Sequence, residues 1–92
     1  MADDPRPFAR TEHWALSDEV SLRDESFGAL AYHHGTRRLV FVKSPLLVDV
    51  VRHLDDYDNV DDALGALVEP ADRERYALAL ASLADSEILR GR

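Results

Sequence analysis

Apolar residues alternate with polar ones through much of the first half of the chain and recur every three to four positions through the second half. Trp14 and Leu16 alternate, and after the polar Ser17-Asp18-Glu19 so do Val20 and Leu22. The second pair is the better strand, because period two places both side chains on one face. Phe27 to His33 predicts the next strand, with Leu30 and Tyr32 on one face and Phe27, Ala29 and Ala31 on the other. Gly28 in that run marks a bulge or a close backbone approach. His34-Gly35-Thr36 supplies the turn, with Gly35 suited to a positive φ. Arg38 to Val42 predicts the third strand, Leu39 and Phe41 on one face and Arg38, Val40 and Val42 on the other. That strand is apolar on both faces, so Val40 and Val42 need a cover.

Helical signals follow at once. Ser44 is a good N-cap and Pro45 suits the first helical position. Leu46, Leu47, Val50, Val51 and Leu54 form a stripe that predicts a helix over about 45–55. Asp55-Asp56-Tyr57-Asp58 interrupts it. Asp58 or Asn59 can cap a second helix, whose positive first turn suits Asp61 and Asp62 and whose apolar positions are Val60, Ala63, Leu64, Leu67 and Val68. Pro70 opens a third helix, striped by Tyr76, Ala77, Leu80, Leu83 and Ala84, and Ile88-Leu89 form an apolar tail that packs back on the core. Three strands followed by three helices predict an α+β fold, with helices on one face of a three-stranded antiparallel sheet. Residues 1–12, with Pro5 and Pro7 and few apolar anchors, predict a disordered or loosely docked arm ahead of one domain over 13–92.

At 92 residues the chain has room for one modest core. It contains no cysteine, which rules out disulfides, thiolate metal sites and cysteine nucleophiles and fits a reducing cytoplasm. No signal-like or membrane-spanning run is present, so the expectation is a soluble cytoplasmic protein without a membrane partner. The net charge of −7 is uneven: residues 1–48 carry seven acids and six bases, residues 49–92 eleven acids and five bases. An acidic helical half is repelled by phosphate backbones, which makes nucleic acid a poor partner. The clustered bases are Arg37, Arg38 and Lys43. They either discourage edge-to-edge aggregation or meet an anionic patch on a bound peptide.

Catalytic chemistry finds no support. His33 and His34 point to opposite faces of a strand, His13 and His53 lie far from them in sequence, and no ligand spacing joins the four into a metal site. There is no nucleophile elbow and no glycine-rich phosphate loop, and the pairs Asp55/Asp56 and Asp61/Asp62 sit where helix ends explain them. A winged-helix DNA-binding regulator is the alternative reading. Its recognition helix would carry Arg73 and Arg75 beside Asp72 and Glu74, with no Asn or Gln. A domain that pairs its third strand with a second copy is another. Peptide capture by strand addition is the reading in which the two-sided apolar strand works, provided that strand is a free edge.

The block Phe27–Pro45, Phe-Gly-Ala-Leu-Ala-Tyr-His-His-Gly-Thr-Arg-Arg-Leu-Val-Phe-Val-Lys-Ser-Pro, resembles the core of the precursor-binding chaperone family of the mycofactocin system. The preceding Val-Ser-Leu-Arg and the following Leu-Leu-Val-Asp-Val-Val fit the same family, over about Trp14 to Leu89. The resemblance implies a RiPP recognition element, winged-helix-like and related to the peptide chaperone of pyrroloquinoline quinone biosynthesis. Such a domain is not an enzyme and needs no cofactor. It binds the leader of the mycofactocin precursor peptide as an added strand and delivers it to a radical SAM maturase, which holds the iron–sulfur clusters. The positions this implies are Arg38, Leu39, Val40, Phe41 and Val42 of the third strand, with Arg73, Tyr76, Ala77 and Leu80 on the facing side of the third helix. Strand backbone groups would supply affinity, Tyr76 and Leu80 an apolar pocket, and Arg38 or Arg73 a contact to a leader carboxylate.

Overall fold

The computed structural model describes residues 7–92. In chain order it contains β1 (Trp14–Leu16), β2 (Val20–Glu25), β3 (Gly28–His33), β4 (Arg38–Val42), α1 (Pro45–His53), α2 (Val60–Leu67), α3 (Arg73–Asp85) and β5 (Leu89–Gly91), with 3₁₀ turns at Leu54–Asp56 and Pro70–Asp72. Strands β2, β3 and β4 form an antiparallel sheet in that order, leaving β4 at one edge. The register pairs Ala31 with both Leu22 and Val40, and Ala29 with Val42, so these side chains share the inner face. The two alanines and Val42 are fully buried there, against a core built from Leu47, Val50, Val51, Leu54, Leu64 and Leu80. The α+β class and the three-strand, three-helix order are as the pattern predicts.

Local signals explain the helix starts. Ser44 caps α1, its Oγ accepting the Leu47 amide at 3.1 Å, and Asn59 caps α2, its Oδ1 accepting the Asp62 amide at 2.8 Å. The remaining first-turn amides of α2 find the N-terminal arm: Val60 N–H donates to Glu12 O at 3.2 Å and Asp61 N–H to Arg10 O at 3.0 Å. Arg10 also pairs with Asp61 at 2.8 Å and Glu74 at 2.9 Å, and those two carboxylates raise its pKa above the ordinary arginine value. Phe8 packs its ring on Trp14. The expected arm is therefore docked over residues 8–12, and its first six residues lie outside the described part.

Four details differ from the sequence reading. Trp14–Leu16 is a strand, because β5 pairs with it, Trp14 opposite Gly91 and Leu16 opposite Leu89. The tail thus does pack on the core, Ile88 and Leu89 both being buried, and it closes a second small sheet as well. Phe27 does not share a face with Ala29 and Ala31: Gly28 at φ 149° breaks the alternation and sends the ring to the outer face, 5.8 Å from that of Phe41. The positive φ of the β3–β4 turn falls on Arg37 (61°), while the amides of Gly35 and Thr36 donate to Nδ1 of buried His33, both at 3.1 Å. Pro70 starts a 3₁₀ turn, and the α-helix begins at Arg73.

Candidate functional site

The free edge of β4 is defined by hydrogen-bond alternation. His34 N–H donates to Glu19 O at 2.8 Å, in register with the β2–β3 ladder. In an antiparallel ladder, residues that exchange bonds alternate with residues that do not. Counting from that bond, Gly28, Leu30 and Tyr32 turn their backbone groups toward β2, and Ala29, Ala31 and His33 turn theirs toward β4. The bond from Arg37 N–H to His33 O, at 2.7 Å, agrees. Arg38, Val40 and Val42 therefore bond to β3, and the N–H and C=O groups of Leu39 and Phe41 point off the edge of the sheet. The sequence pattern left these two sets undistinguished.

Side chains follow the same division. Val42 is buried and Val40 half-buried on the inner face, whereas Leu39 and Phe41 stand 53% and 55% exposed on the outer one. Their cross-strand partners are Tyr32 and Leu30, both half-buried, and Phe27 (41% exposed) continues the strip. Exposed basic residues sit at both ends of the strand, Arg37 just before it, Arg38 as its first residue and Lys43 just after it.

Beyond the end of β4, a shallow cleft of about 150 Å³ opens between α1 and α3, lined by Ser44, Leu47, Arg75, Tyr76 and Ala79. Tyr76 and Ser44 close its floor through their hydroxyls, 3.1 Å apart, and the Arg75 guanidinium lies over the Tyr76 ring at 5.4 Å.

The expected helix-three positions divide accordingly. Tyr76 faces the cleft. Ala77 (5% exposed) and Leu80 (0%) lie in the core stripe, buried beneath the surface of α3. Arg73 is half-buried and occupied: its Nε donates to Val68 O at 2.8 Å and Leu64 O at 3.2 Å, and its Nη2 to Gly65 O at 3.0 Å, satisfying the end of α2. Arg75 pairs with Asp72 at 2.9 Å, so α3 does not present the basic face a groove-reading helix needs. Ser44, Leu47 and Arg75 also line the cleft, although their sequence context marks them as a cap, a core position and part of a charged helix start, and Ala79 lines it with no sequence signal of its own. Helical spacing from Tyr76 reaches both Ala79 and Leu80, and it cannot tell which flank of the stripe is open.

His33 lies inward in its turn, and His34 lies outward, near Ser21 Oγ (2.7 Å) and edge-on to Tyr32. Among the described residues, no helix is long and apolar enough to cross a membrane.

An open sheet edge, an apolar strip beside it and a shallow cleft at its end are the parts of a small α+β binding domain. The profile of the peptide chaperone MftB family matches residues 13–90, and the chain belongs to that family. A chaperone's role is non-catalytic. The chain is 41% identical over 87 residues to the peptide chaperone MftB of Mycobacterium tuberculosis (strain ATCC 25618 / H37Rv), covering 94% of this chain and 80% of that one. It is 43% identical over 77 residues to the peptide chaperone MftB of Mycobacterium ulcerans (strain Agy99), covering 83% and 71%. No solved structure matches the chain significantly.

Proposed function

We propose that this protein is a peptide chaperone of mycofactocin biosynthesis that takes the leader of the precursor peptide as a fourth strand on β4 and delivers it to the radical SAM maturase in the cytoplasm. The observation that carries the site assignment is the free edge itself: Leu39 and Phe41 offer four backbone hydrogen-bonding groups to solvent, the feature that strand addition uses. Membership of a peptide chaperone family supports the role. The working set is Arg38 to Val42 with Tyr76 and the cleft residues Ser44, Leu47, Arg75 and Ala79. Ala77, Leu80 and Arg73 hold the scaffold behind it.

Titrating labelled protein with the precursor peptide tests the assignment. Amide shifts are expected in 38–42, at Ser44 and around Tyr76–Ala79; shifts confined to the acidic segment 55–62 would move the site elsewhere. Calorimetry with and without the maturase tests delivery, which requires that the peptide-loaded chaperone bind the enzyme.

A further inference from the structure

Leu39 and Phe41 combine two properties: their backbone groups face the open edge, and their side chains stand on the outer face of the sheet. Residues directly opposite one another on neighbouring strands share a face, whichever direction the added strand runs. A guest on β4 must therefore set the two residues opposite Leu39 and Phe41 over the outer face, beside the Phe27 ring. The residue between them falls on the inner side, beside half-buried Val40. The charges add a second constraint, because the strand has Arg37-Arg38 at its start and Lys43 just past its end in a protein that is otherwise acidic.

Resting on the peptide-capture reading above, we infer the class of guest: a segment with apolar side chains at two alternate positions, i and i+2, packed over Leu39 and Phe41, and with acidic residues beyond them to meet the basic ends of the strand. A second copy of this chain fits less well. Antiparallel self-pairing centred on Val40 would set Leu39 opposite Phe41 but also Arg37 opposite Lys43 at both ends, and like charges directly opposite are destabilising.

The test uses the full chain, the mycofactocin precursor peptide, and a short acetylated probe with two alternate valines between glutamates. Leu39→Thr and Phe41→Thr keep strand-favouring residues at exposed positions, so thermal melts should stay close to the parent. Each should weaken precursor binding about tenfold or more, the loss expected when one well-buried apolar contact is removed. On binding, the Leu39 and Phe41 amides should gain exchange protection, while the already bonded Val40 amide stays unchanged. The probe should compete with the precursor, and its glutamine-ended version should compete less well.

Parent-like affinity of both variants, or failure of the probe to compete, overturns the guest class while leaving peptide capture standing. A parent protein that binds no precursor overturns capture itself. Concentration-dependent dimerisation that protects Leu39 and Phe41 without peptide assigns the edge to a second copy and overturns the inference.

Discussion

Tyr76 on α3 and Ser44 at the N-cap of α1 meet through their hydroxyls at 3.1 Å, and the same Ser44 oxygen accepts the Leu47 amide at 3.1 Å. One atom thus starts α1 and ties α3 to it, in the lining of the cleft. Ser44→Ala should destabilise the domain by about 1 kcal/mol through the lost cap, and Tyr76→Phe by about 0.5–1.5 kcal/mol. Because both changes remove the hydroxyl pair, the double variant should fall short of their sum in a denaturation cycle. Strict additivity would mean that the two hydroxyls act independently.

Arg73 is expected to act on stability and not on peptide recognition, since three carbonyls at the end of α2 already hold its guanidinium. Arg73→Gln should lower the unfolding free energy by about 1–2 kcal/mol, toward the low end for charged hydrogen bonds because the side chain is partly exposed. Calorimetry on the folded variant should return parent-like affinity for the precursor. A large affinity loss at unchanged stability would restore the carboxylate-binding role that the sequence suggested.

Helix α3 ends in a left-handed cap occupied by a residue poorly suited to it. Glu87 sits at φ 65°, its amide donating to Ala84 O at 3.0 Å, while Ile88 N–H donates to Leu83 O at 2.9 Å. These two bonds, with Ile88 and Leu83 both buried, make a Schellman motif in which glycine is the usual residue. Glu87→Gly should therefore raise stability by about 0.5–1 kcal/mol, read as a higher melting temperature, with peptide binding untouched.

Gly28 is expected to tolerate no side chain. At φ 149° a Cβ would run into the Val42 carbonyl oxygen and come within 2.9 Å of the Ser44 amide nitrogen, both of them backbone atoms. Gly28→Ala should destabilise by at least about 1–3 kcal/mol from backbone conformation alone. It should also disturb β4 and the α1 cap together, seen as faster amide exchange at Val42 and Leu47. A variant that melts like the parent would show that this junction moves freely.

Much of the fold was legible in the sequence because local chemistry dictated it. Period-two alternation marked Val20-Leu22 and Arg38–Val42, and Ser44-Pro45 and Asn59 announced their helices. The strand at the site was legible too, since a run apolar on both sides needs a cover on one face and leaves Leu39 and Phe41 on the other. What escaped depends on partners distant in sequence. Three residues at 14–16 carry too little pattern to declare a strand until residues 89–91 lie beside them. The face of Phe27 turned on the φ of Gly28, and the availability of Leu80 on what α3 packs against. The outward set of backbone groups needed one observed bond, from His34 to Glu19, to settle the alternation.

The ladder between β1 and β5 bears on how the protein is made. Trp14, whose side chain is in the core, pairs with Gly91, and Ser17 N–H bonds to Ile88 O at 2.9 Å. A nascent chain can assemble the hairpins and α1 while still being translated. It cannot seal the sheet over Trp14 until residue 91 has left the ribosomal tunnel. Until then the half-finished core stays open beside the β4 edge, where the exposed charges of Arg37, Arg38 and Lys43 disfavour edge-to-edge pairing between chains.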